Sequence, residues 1–445
     1  MNAHGFSSSS VAYPVVGRHV RNGLPTPKAT KPQTKILLLQ GPVGPFFAEL
    51  HIALDAAGFA VKRVLFNSGD KLFDHGRNSV RFTGILGDWD TWLRLKVAQY
   101  KPDCIVLFGS NRPAHIVARH IAKLVDIPVM CLEEGYLRSG YVTAELGGNN
   151  QHSPLIAWKP QGSLRPKVDT IPVTKATRSS FFAMSVWGTL YYLAREAFSP
   201  DSDQELFHRP RERLLPMALS WCNHTLRQMA ARIVEFPTLN ALRAKPGYIL
   251  VPLQVSQDSQ IQVAARQWNL VKLVDASLRA LAQTELNQMV VFKLHPLERE
   301  NGAISKLIKQ RAKALGIRRA RLIVLRSGRI GELTANAGGE IVINSTSAFS
   351  ALHHKVPLLV LGDALYRHAD LVTIGDDDQD IATFFKLRST KSQEAIEEFI
   401  EVVKAQSLVP GDFYVAAGRK IAAQNIVHKL EQQLLDASVL KEAEA

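Results

Sequence analysis

The sequence is poor in cysteine and has no long apolar run. It contains three cysteines in 445 residues, with no CxxC pair and no histidine at ligand spacing. A disulfide framework and a structural zinc site are therefore not supported, and a reducing, cytoplasmic compartment fits best. No uninterrupted apolar stretch reaches the roughly 20 residues that span a bilayer, and the amino terminus lacks the apolar core of a signal peptide. We expect a protein that is soluble or peripheral on a membrane.

Glycine-rich nucleotide-binding motifs are missing as well. The chain contains neither GxxxxGK[ST] nor GxGxxG, which disfavours P-loop hydrolysis and ordinary dinucleotide binding. Three consecutive aspartates at 376–378 resemble a metal-binding DxD motif only superficially, and a solvated loop explains them better. We predict no metal site and no bound cofactor.

Negative charge is scarce, since 54 Lys and Arg outnumber 40 Asp and Glu and leave a net charge of +14. This surplus favours anionic partners such as nucleotides, phospholipid surfaces or acidic glycans, although solubility alone explains part of it. Residues 1–35 contain a serine tract, several prolines and no acidic residue. We predict a disordered basic tail there.

From residue 36 onward, short apolar segments alternate with helical patterns, which is typical of α/β proteins. Strands that are apolar throughout and separated by helices predict parallel sheets covered on both faces. The predicted strands lie at 36–39, 61–66, 104–108, 128–132, 248–251, 289–294, 321–325, 341–343 and 357–361. A long helix is predicted over 261–281. The fold class is therefore α/β, with two Rossmann-like domains that face a cleft.

The same pattern divides the chain. We predict a Rossmann-like domain at 36–174, a helical insertion at 175–243, a second Rossmann-like domain at 244–410, and a carboxy-terminal helix at 411–445 that packs back on the first domain. Within the insertion, 181–194 is apolar and aromatic and is flanked by basic residues. Such a segment suits the surface of an anionic bilayer, but a helix buried against the domains explains it equally well.

Candidate chemical groups follow the predicted strands, where a cleft between two such domains would lie. Glu133 and Glu134 end one strand, and one of them can act as a general base while the other pairs with Arg138 or caps a helix. A solvated acidic pair is the alternative. Gly41 and Gly44 can let backbone approach a ligand, although GxxG is also common in plain turns.

The second half offers three more candidates. Asp258 stands where a helix is predicted to start, and an ordinary N-cap is the alternative. His295, followed by Pro296, can donate to a phosphate or a leaving group. The hydroxyl-rich segment 344–347 can bind a phosphate, with plain helix capping as the alternative.

Taken together in order, these segments resemble the capsular polysaccharide biosynthesis and export family typified by KpsS and LipB. The resemblance runs from about residue 36 to residue 430. It is carried by seven blocks, at 39–47, 66–70, 107–115, 133–138, 253–261, 293–296 and 344–352.

The resemblance implies a GT-B-type glycosyltransferase that moves 3-deoxy-D-manno-oct-2-ulosonic acid (Kdo) from CMP-Kdo to a phosphatidylglycerol-type lipid, with retention and without a metal. Capsule polysaccharide would be built on this linker and exported. The implied partners are a CMP-sugar, an anionic phospholipid acceptor, the inner-membrane surface and other capsule synthesis and export proteins, with no nucleic acid. The implied location is the cytoplasm, peripheral on the inner membrane.

The resemblance also implies roles for individual residues. Asp258 is the candidate nucleophile, and Glu133 or Glu134 is the acid/base. Residues implied to bind the CMP-sugar are Gln254, His295, Pro296, Asn344, Ser345 and Thr346, and those implied to line the cleft or bind the acceptor are Gly41, Gly44, Arg112, Arg138 and Asn149. Two alternatives stay open, a non-catalytic export adaptor and a nucleotide-sugar epimerase of the same fold.

Overall fold

The computed structural model describes residues 33–76, 78–137, 140–161, 180–198, 206, 214–255, 263–284 and 287–444. Residues 34–445 form one compact unit that contains two β-sheets. The basic tail predicted over 1–35 lies, up to residue 32, outside the described residues.

The first sheet has seven strands in the order β13-β6-β5-β4-β1-β2-β3. Its strands are β1 (Lys35–Leu38), β2 (Ala60–Leu65), β3 (Ser79–Arg81), β4 (Cys104–Phe108), β5 (Val129–Glu134), β6 (Tyr141–Leu146) and β13 (Leu408–Pro410). The pairs among β1 to β5 are parallel, whereas β6 pairs antiparallel with both β5 and β13. The central strand β4 is buried at all five positions, as expected for a sheet covered on both faces.

Helices cover both faces of this sheet. They are α1 (Phe46–Ala56), α2 (Ser68–Leu72), α3 (Leu86–Tyr100) and α4 (Pro113–Leu124). A long helix from the end of the chain, Ala416–Glu444, packs Ala422, Ile426 and Leu430 into the same core as Phe46 of α1. The last helix thus packs on the first half of the molecule.

The second sheet has six strands in the order β12-β11-β10-β7-β8-β9, and all of its pairs are parallel. Its strands are β7 (Tyr248–Pro252), β8 (Val290–Lys293), β9 (Leu322–Leu325), β10 (Ala337–Val342), β11 (Leu358–Val360) and β12 (Thr373–Ile374). The α/β fold class with two Rossmann-like halves is confirmed.

Among the residues that the structure describes between the halves, three helices occur, α5 (Ser180–Phe198), α6 (Leu214–Val234) and α7 (Phe236–Ala244). The later helices include one, Gln393–Ser407, that contacts strands β6 and β13 of the first sheet. The later helices are α8 (Leu270–Ala282), α9 (Asn301–Ala314), α10 (Ile330–Ala335), α11 (Ala348–His353), α12 (Asp378–Lys386), α13 (Gln393–Ser407) and the long helix, α14 (Ala416–Glu444).

The carboxyl edges of the two sheets meet. Tyr136, two residues beyond β5, stacks on Phe349 of α11, with ring centroids 5.8 Å apart. Both side chains are buried in one core cluster. Since α11 follows β10, residues beyond the strand ends of both halves face each other, and this is where ligands bind in parallel α/β sheets.

Two predictions about the elements are wrong. The helix predicted over 261–281 is interrupted: Val263 and Ala264 are helical, residues 265–269 are not, and a second helix begins at Leu270. The Asn269 side chain caps this second helix by accepting from the Lys272 N–H at 2.9 Å. The sheet of the first half is also not wholly parallel. The polar strand β6 was not predicted, and the chain returns to this sheet at Leu408, within the range predicted for the second domain.

Candidate active site

Glu133 and Glu134 are the last two residues of β5, at the edge that faces the second half. Neighbouring residues of a strand point to opposite faces, so the two carboxylates cannot serve the same position. Glu133 is half-buried and Glu134 is exposed. Tyr414 donates its hydroxyl proton to Glu134 Oε1 at 2.7 Å, and residues near the end of the chain therefore orient this carboxylate.

Arg112, which belongs to the loop after β4, lies beside Glu133 of β5. A Cβ built on Gly109 would lie 3.3 Å from Arg112 Nε and 3.7 Å from Glu133 Oε2, which places the two charged groups around one point. Gly109 has φ of +78°, a conformation that other residues adopt at a cost. Burial lowers the pKa of Arg112, but Tyr191 and Glu133 oppose this shift and favour the charged form. We infer that Arg112 stabilises the Glu133 carboxylate.

His115 is fully buried next to this loop and holds it by a hydrogen bond. Its Nδ1 donates to the Gly109 carbonyl at 2.8 Å. Burial, reinforced by the charge of Arg112, lowers the pKa of His115 to about 3. The ring is therefore neutral near pH 7 and acts as a structural hydrogen-bond donor.

The predicted ligand approach at Gly41 and Gly44 is replaced by packing. A Cβ on Gly41 would lie 2.4 Å from the Phe47 ring, and one on Gly44 would lie 3.0 Å from Trp187 of α5. Gly44 also has φ of +105°. At both glycines, the space that a side chain would take is filled by an aromatic ring of the protein itself.

Asn149, predicted as an acceptor residue, is fully buried. Its amide donates to the Cys131 carbonyl at 3.0 Å and to Glu145 Oε2 at 3.4 Å. Glu145 also accepts from Tyr136 at 2.6 Å and from two serines. Asn149 thus belongs to a buried network under the cleft wall, and its predicted place in the cleft is not supported.

On the second half, His295 and Pro296 follow β8. The Leu297 N–H donates to His295 Nδ1 at 3.1 Å, so Nδ1 carries no proton and the neutral ring carries its proton on Nε2. The half-buried ring can therefore donate a hydrogen bond through Nε2. The Pro296 carbonyl accepts from His224 of α6 at 2.7 Å, which ties this loop to the segment between the halves.

Gln254 and Asn344 come together beyond β7 and β10, as their positions after neighbouring strands predict. Gln254 Nε2 donates to Asn344 Oδ1 at 3.0 Å. The Ser345 carbonyl accepts from Tyr366 at 2.6 Å, which fixes the turn into α11. Ser345 and Thr346 are partly exposed, so their hydroxyls can reach a ligand.

Glu340 supports this turn from inside β10 and was not singled out from the sequence. It is fully buried and accepts from Thr334 at 2.7 Å and from Ser347 at 2.9 Å. Burial raises the pKa of Glu340 to about 7, against the opposing effect of both hydroxyls. Ser347 in turn hydrogen-bonds Ser345, with the two Oγ atoms 3.0 Å apart.

Two predicted residues cannot be placed. Asp258, the candidate nucleophile, and Arg138, the candidate cleft arginine, lie outside the described residues. Gln254 and Val255 end the described segment just before Asp258, at the carboxyl edge of the second sheet.

The aspartates at 376–378 have structural roles. Asp376 pairs with Arg266 and Arg367 at 2.7 Å each, and Asp377 caps α12 by accepting from the Asp380 N–H. Asp378 pairs with Arg279. Over the described ranges, no group of three or more His, Cys, Asp or Glu side chains could hold a metal ion. No helix among these ranges is both long and apolar enough to cross a bilayer.

Comparison with known proteins then identifies the family. The family model described as "Capsule polysaccharide biosynthesis protein" matches residues 103–414. The chain belongs to the capsule polysaccharide biosynthesis family. It is 30% identical over 337 residues to the capsule polysaccharide export protein KpsS of Escherichia coli, covering 75% of this chain and 85% of KpsS.

Other capsule proteins agree with this assignment. The capsule polysaccharide modification protein LipB of Neisseria meningitidis serogroup B is 28% identical over 396 residues, covering 85% of this chain and 91% of LipB. Among solved structures, the β-Kdo 2,7 transferase KpsC of Thermosulfurimonas dismutans has a TM-score of 0.41 and 13% identity, over 90% of this chain and 99% of that chain. A TM-score of this size carries no argument about chemistry.

Sequence reasoning missed several residues that hold the site of this capsule biosynthesis protein together. Gln40 and Asp70 stand inside the blocks that carry the family resemblance, yet their residue types alone suggested no role. Tyr191 and Tyr414 lie far from these blocks in sequence. Only the fold brings them to the same edge, so no local signal could have found them.

Proposed function

We propose that this capsule biosynthesis protein is a glycosyltransferase that moves Kdo from CMP-Kdo to a phosphatidylglycerol-type lipid. One observation carries the proposal. Two adjacent carboxylates, one beside a buried arginine, end β5 on one side of the edge where the sheets meet, and hydrogen-bonding side chains follow β7, β8 and β10 on the other. This arrangement can serve an acceptor hydroxyl on the first side and a nucleotide phosphate on the second.

In the first step, the Asp258 carboxylate attacks the anomeric carbon of Kdo and forms a covalent glycosyl ester. The bond from that carbon to the phosphate oxygen breaks, and CMP leaves with the bonding electron pair. His295, through its Nε2–H, and the hydroxyls of Ser345 and Thr346 donate hydrogen bonds to the phosphate. Because CMP departs as a phosphate monoester, these donors suffice and no metal is required.

In the second step, Glu133 takes the proton of the acceptor hydroxyl. The acceptor oxygen then attacks the anomeric carbon from the face that CMP left, and the bond to Asp258 breaks. Two displacements give overall retention. Arg112 keeps Glu133 ionised and able to accept the proton, whereas the hydroxyl of Tyr414 orients Glu134 as its neighbour.

The segment between the halves suits an anionic bilayer, where the lipid acceptor would lie. Helices α5 and α6 expose many large apolar side chains, among them Phe182, 72% exposed, and Ile233, 77% exposed. The hydroxyls of Ser185 and Thr189 donate to carbonyls of their own helix, so they need no water. No acidic residue occurs in α6. We propose that these faces rest on the cytoplasmic surface of the inner membrane, near other capsule export proteins.

The test is direct. Purified protein is incubated with CMP-Kdo, generated in situ, and a phosphatidylglycerol analogue in vesicles, and the lipid is analysed by mass spectrometry. A gain of one Kdo supports the proposal. Release of CMP without a lipid product would favour an epimerase-like activity, and CMP binding without turnover would favour an export adaptor.

Asp258→Asn sharpens this test. It removes the nucleophile, so transfer should fall more than 1000-fold, in line with the loss of other covalent catalysts. The dissociation constant for CMP, measured by calorimetry, should change less than about threefold, since the base and ribose do not depend on this carboxylate. Asp378→Asn is the matched control, because that aspartate pairs with Arg279 on the surface. Wild-type turnover in Asp258→Asn would refute its assignment as nucleophile.

A further inference from the structure

A chain of buried polar side chains joins α5 to Arg112. Its members are at most 6% exposed and come from four separate parts of the sequence. They are Gln40, Asn67, Asp70, Arg112 and Tyr191. Buried polar networks of this kind fix one arrangement only when every member is satisfied.

The Tyr191 hydroxyl is fully used. It donates to Asp70 Oδ1 at 3.0 Å and accepts from Asn67 Nδ2 at 2.9 Å and from Gln40 Nε2 at 3.1 Å. One donor and two acceptor positions are all that a phenol has. Burial, together with the charge of Asp70, raises the pKa of Tyr191 well above its ordinary value, so the hydroxyl keeps its proton.

This hydroxyl sets the orientation of the Gln40 amide. The amide nitrogen faces the oxygens of Tyr191 and Asp70, the latter at 3.4 Å, and the amide oxygen accepts from Arg112 Nη1 at 2.8 Å. A flipped amide would place its oxygen against a carboxylate and its NH₂ against a guanidinium, where both would be unsatisfied. The tyrosine and the aspartate therefore keep the Gln40 oxygen directed at Arg112.

The fixed Gln40 oxygen in turn fixes the orientation of the Arg112 guanidinium next to Glu133. Its Nη1 also donates to the Gly41 carbonyl at 3.0 Å, and its Nε lies on the Glu133 side of the same loop. The guanidinium is rigid and planar, so fixing Nη1 fixes the side that faces Glu133.

We propose that Tyr191 is a positioning residue, which acts through Gln40 and Arg112 on the Glu133 carboxylate. The segment between the halves is then part of the active-site scaffold. The proposal rests on the proposed function, because it takes Glu133 as the acid/base.

Tyr191→Phe tests it by removing one hydroxyl while keeping the ring. We expect kcat for Kdo transfer to fall about tenfold and the KM for CMP-Kdo to stay within twofold, since the groups that bind CMP lie on the other side of the cleft. Tyr100→Phe is the matched control. Tyr100 donates to the Ala60 carbonyl at 2.6 Å, at the opposite edge of the same sheet, and its loss should leave kcat within twofold. Equal losses in both variants would overturn the proposal.

A double-mutant cycle separates positioning from loss of packing. Arg112→Lys removes the planar group through which Tyr191 acts. In that background, Tyr191→Phe should lower kcat by less than a further twofold. A full additional tenfold loss would mean that Tyr191 acts independently of Arg112 and would overturn the proposal.

Hydrogen exchange tests the chain without any turnover. The Phe66 N–H donates to Asp70 Oδ2 at 2.9 Å, and the Phe108 N–H donates to the Gln40 backbone carbonyl at 3.1 Å. In Tyr191→Phe both amides should exchange about tenfold faster, with 248–254 unchanged, and in Tyr100→Phe they should stay protected. Unchanged exchange would overturn the proposal. If the wild type transfers no Kdo, the proposed function fails, and this measurement still decides whether Tyr191 orders the loop.

Discussion

The two sides of the cleft are built from different chemistry. On the first half, buried charges hold the edge of the sheet: Arg112 and Asp70 are almost fully buried, and each is bound by several neutral groups. On the second half, the neutral side chains of Gln254 and Asn344 hydrogen-bond each other at the edge, and the buried ionisable groups Lys293 and Glu340 lie within strands β8 and β10. A fixed charge stabilises an ionised base, whereas neutral donors can receive a phosphate that brings its own charge. The difference suits an acceptor on the first side and a nucleotide on the second.

The largest expected effect separates the two carboxylates of the first side. Glu133→Gln should lower kcat about 1000-fold, because a neutral amide cannot take a proton and general-base catalysis contributes roughly 10²- to 10⁴-fold. Glu134→Gln keeps an acceptor for the Tyr414 hydroxyl and should cost less than about tenfold. Single-turnover transfer to vesicle lipid measures both. If Glu134→Gln were the more damaging change, the roles of the two residues would be reversed.

The next prediction concerns pH, which should change the stability of the two halves in opposite directions. Burial lowers the pKa of His115 to about 3, so the first half loses stability as pH falls below about 6.5, where the unfolded histidine takes up a proton. Burial raises the pKa of Glu340 to about 7, so the second half loses stability as pH rises from about 4.5 through 7. Between pH 7 and 5, each change amounts to about 2 kcal/mol, with opposite signs.

Hydrogen exchange at pH 7 and pH 5, corrected for the intrinsic rate, checks this contrast. Amides of β4 should lose protection on acidification, and amides of β10 should gain it. Glu340→Gln should abolish the gain while leaving the loss in β4 unchanged. A uniform change across both sheets would show that neither buried group controls the pH dependence of its half.

A smaller effect is expected on CMP binding, which involves only the second half of the molecule. His295→Ala removes one hydrogen bond to the phosphate and should weaken CMP binding about tenfold, which is typical for a bond to a charged group. His353→Ala, at the end of α11, is the control and should leave the CMP dissociation constant within twofold. Calorimetry with CMP alone measures both. Unchanged binding in His295→Ala would remove this residue from the phosphate site.

Local patterns predicted most of the fold. The apolar strands were found because burial on both faces leaves a clear signal. The polar strand β6 was missed because Thr143 and Glu145 find partners inside the protein, which no local pattern shows. The range 261–281 was predicted as one continuous helix because the break at 265–269 and the cap at Asn269 were overlooked.

The candidate site was predicted in part. Residues directly after strands, such as Glu133 and Asn344, came to the expected edge because parallel strands all end there. The packing of Gly41 and the burial of Asn149 were not predicted, since both depend on contacts with residues distant in sequence or on strand β6. The environments of Gly41 and Asn149 are determined by contacts with residues distant in sequence, which the residue types alone do not reveal.

The return of the chain to the first sheet has a consequence for biosynthesis. Strand β13, Tyr414 and α14 complete the first half, yet the ribosome makes them after the whole second half. A growing chain therefore emerges with the apolar surface that these residues cover still exposed. At that stage Glu134 also lacks the hydrogen bond from Tyr414. The first half cannot mature before the second is synthesised, so a nascent or prematurely terminated chain would hold no working site and would depend on chaperones until translation ends.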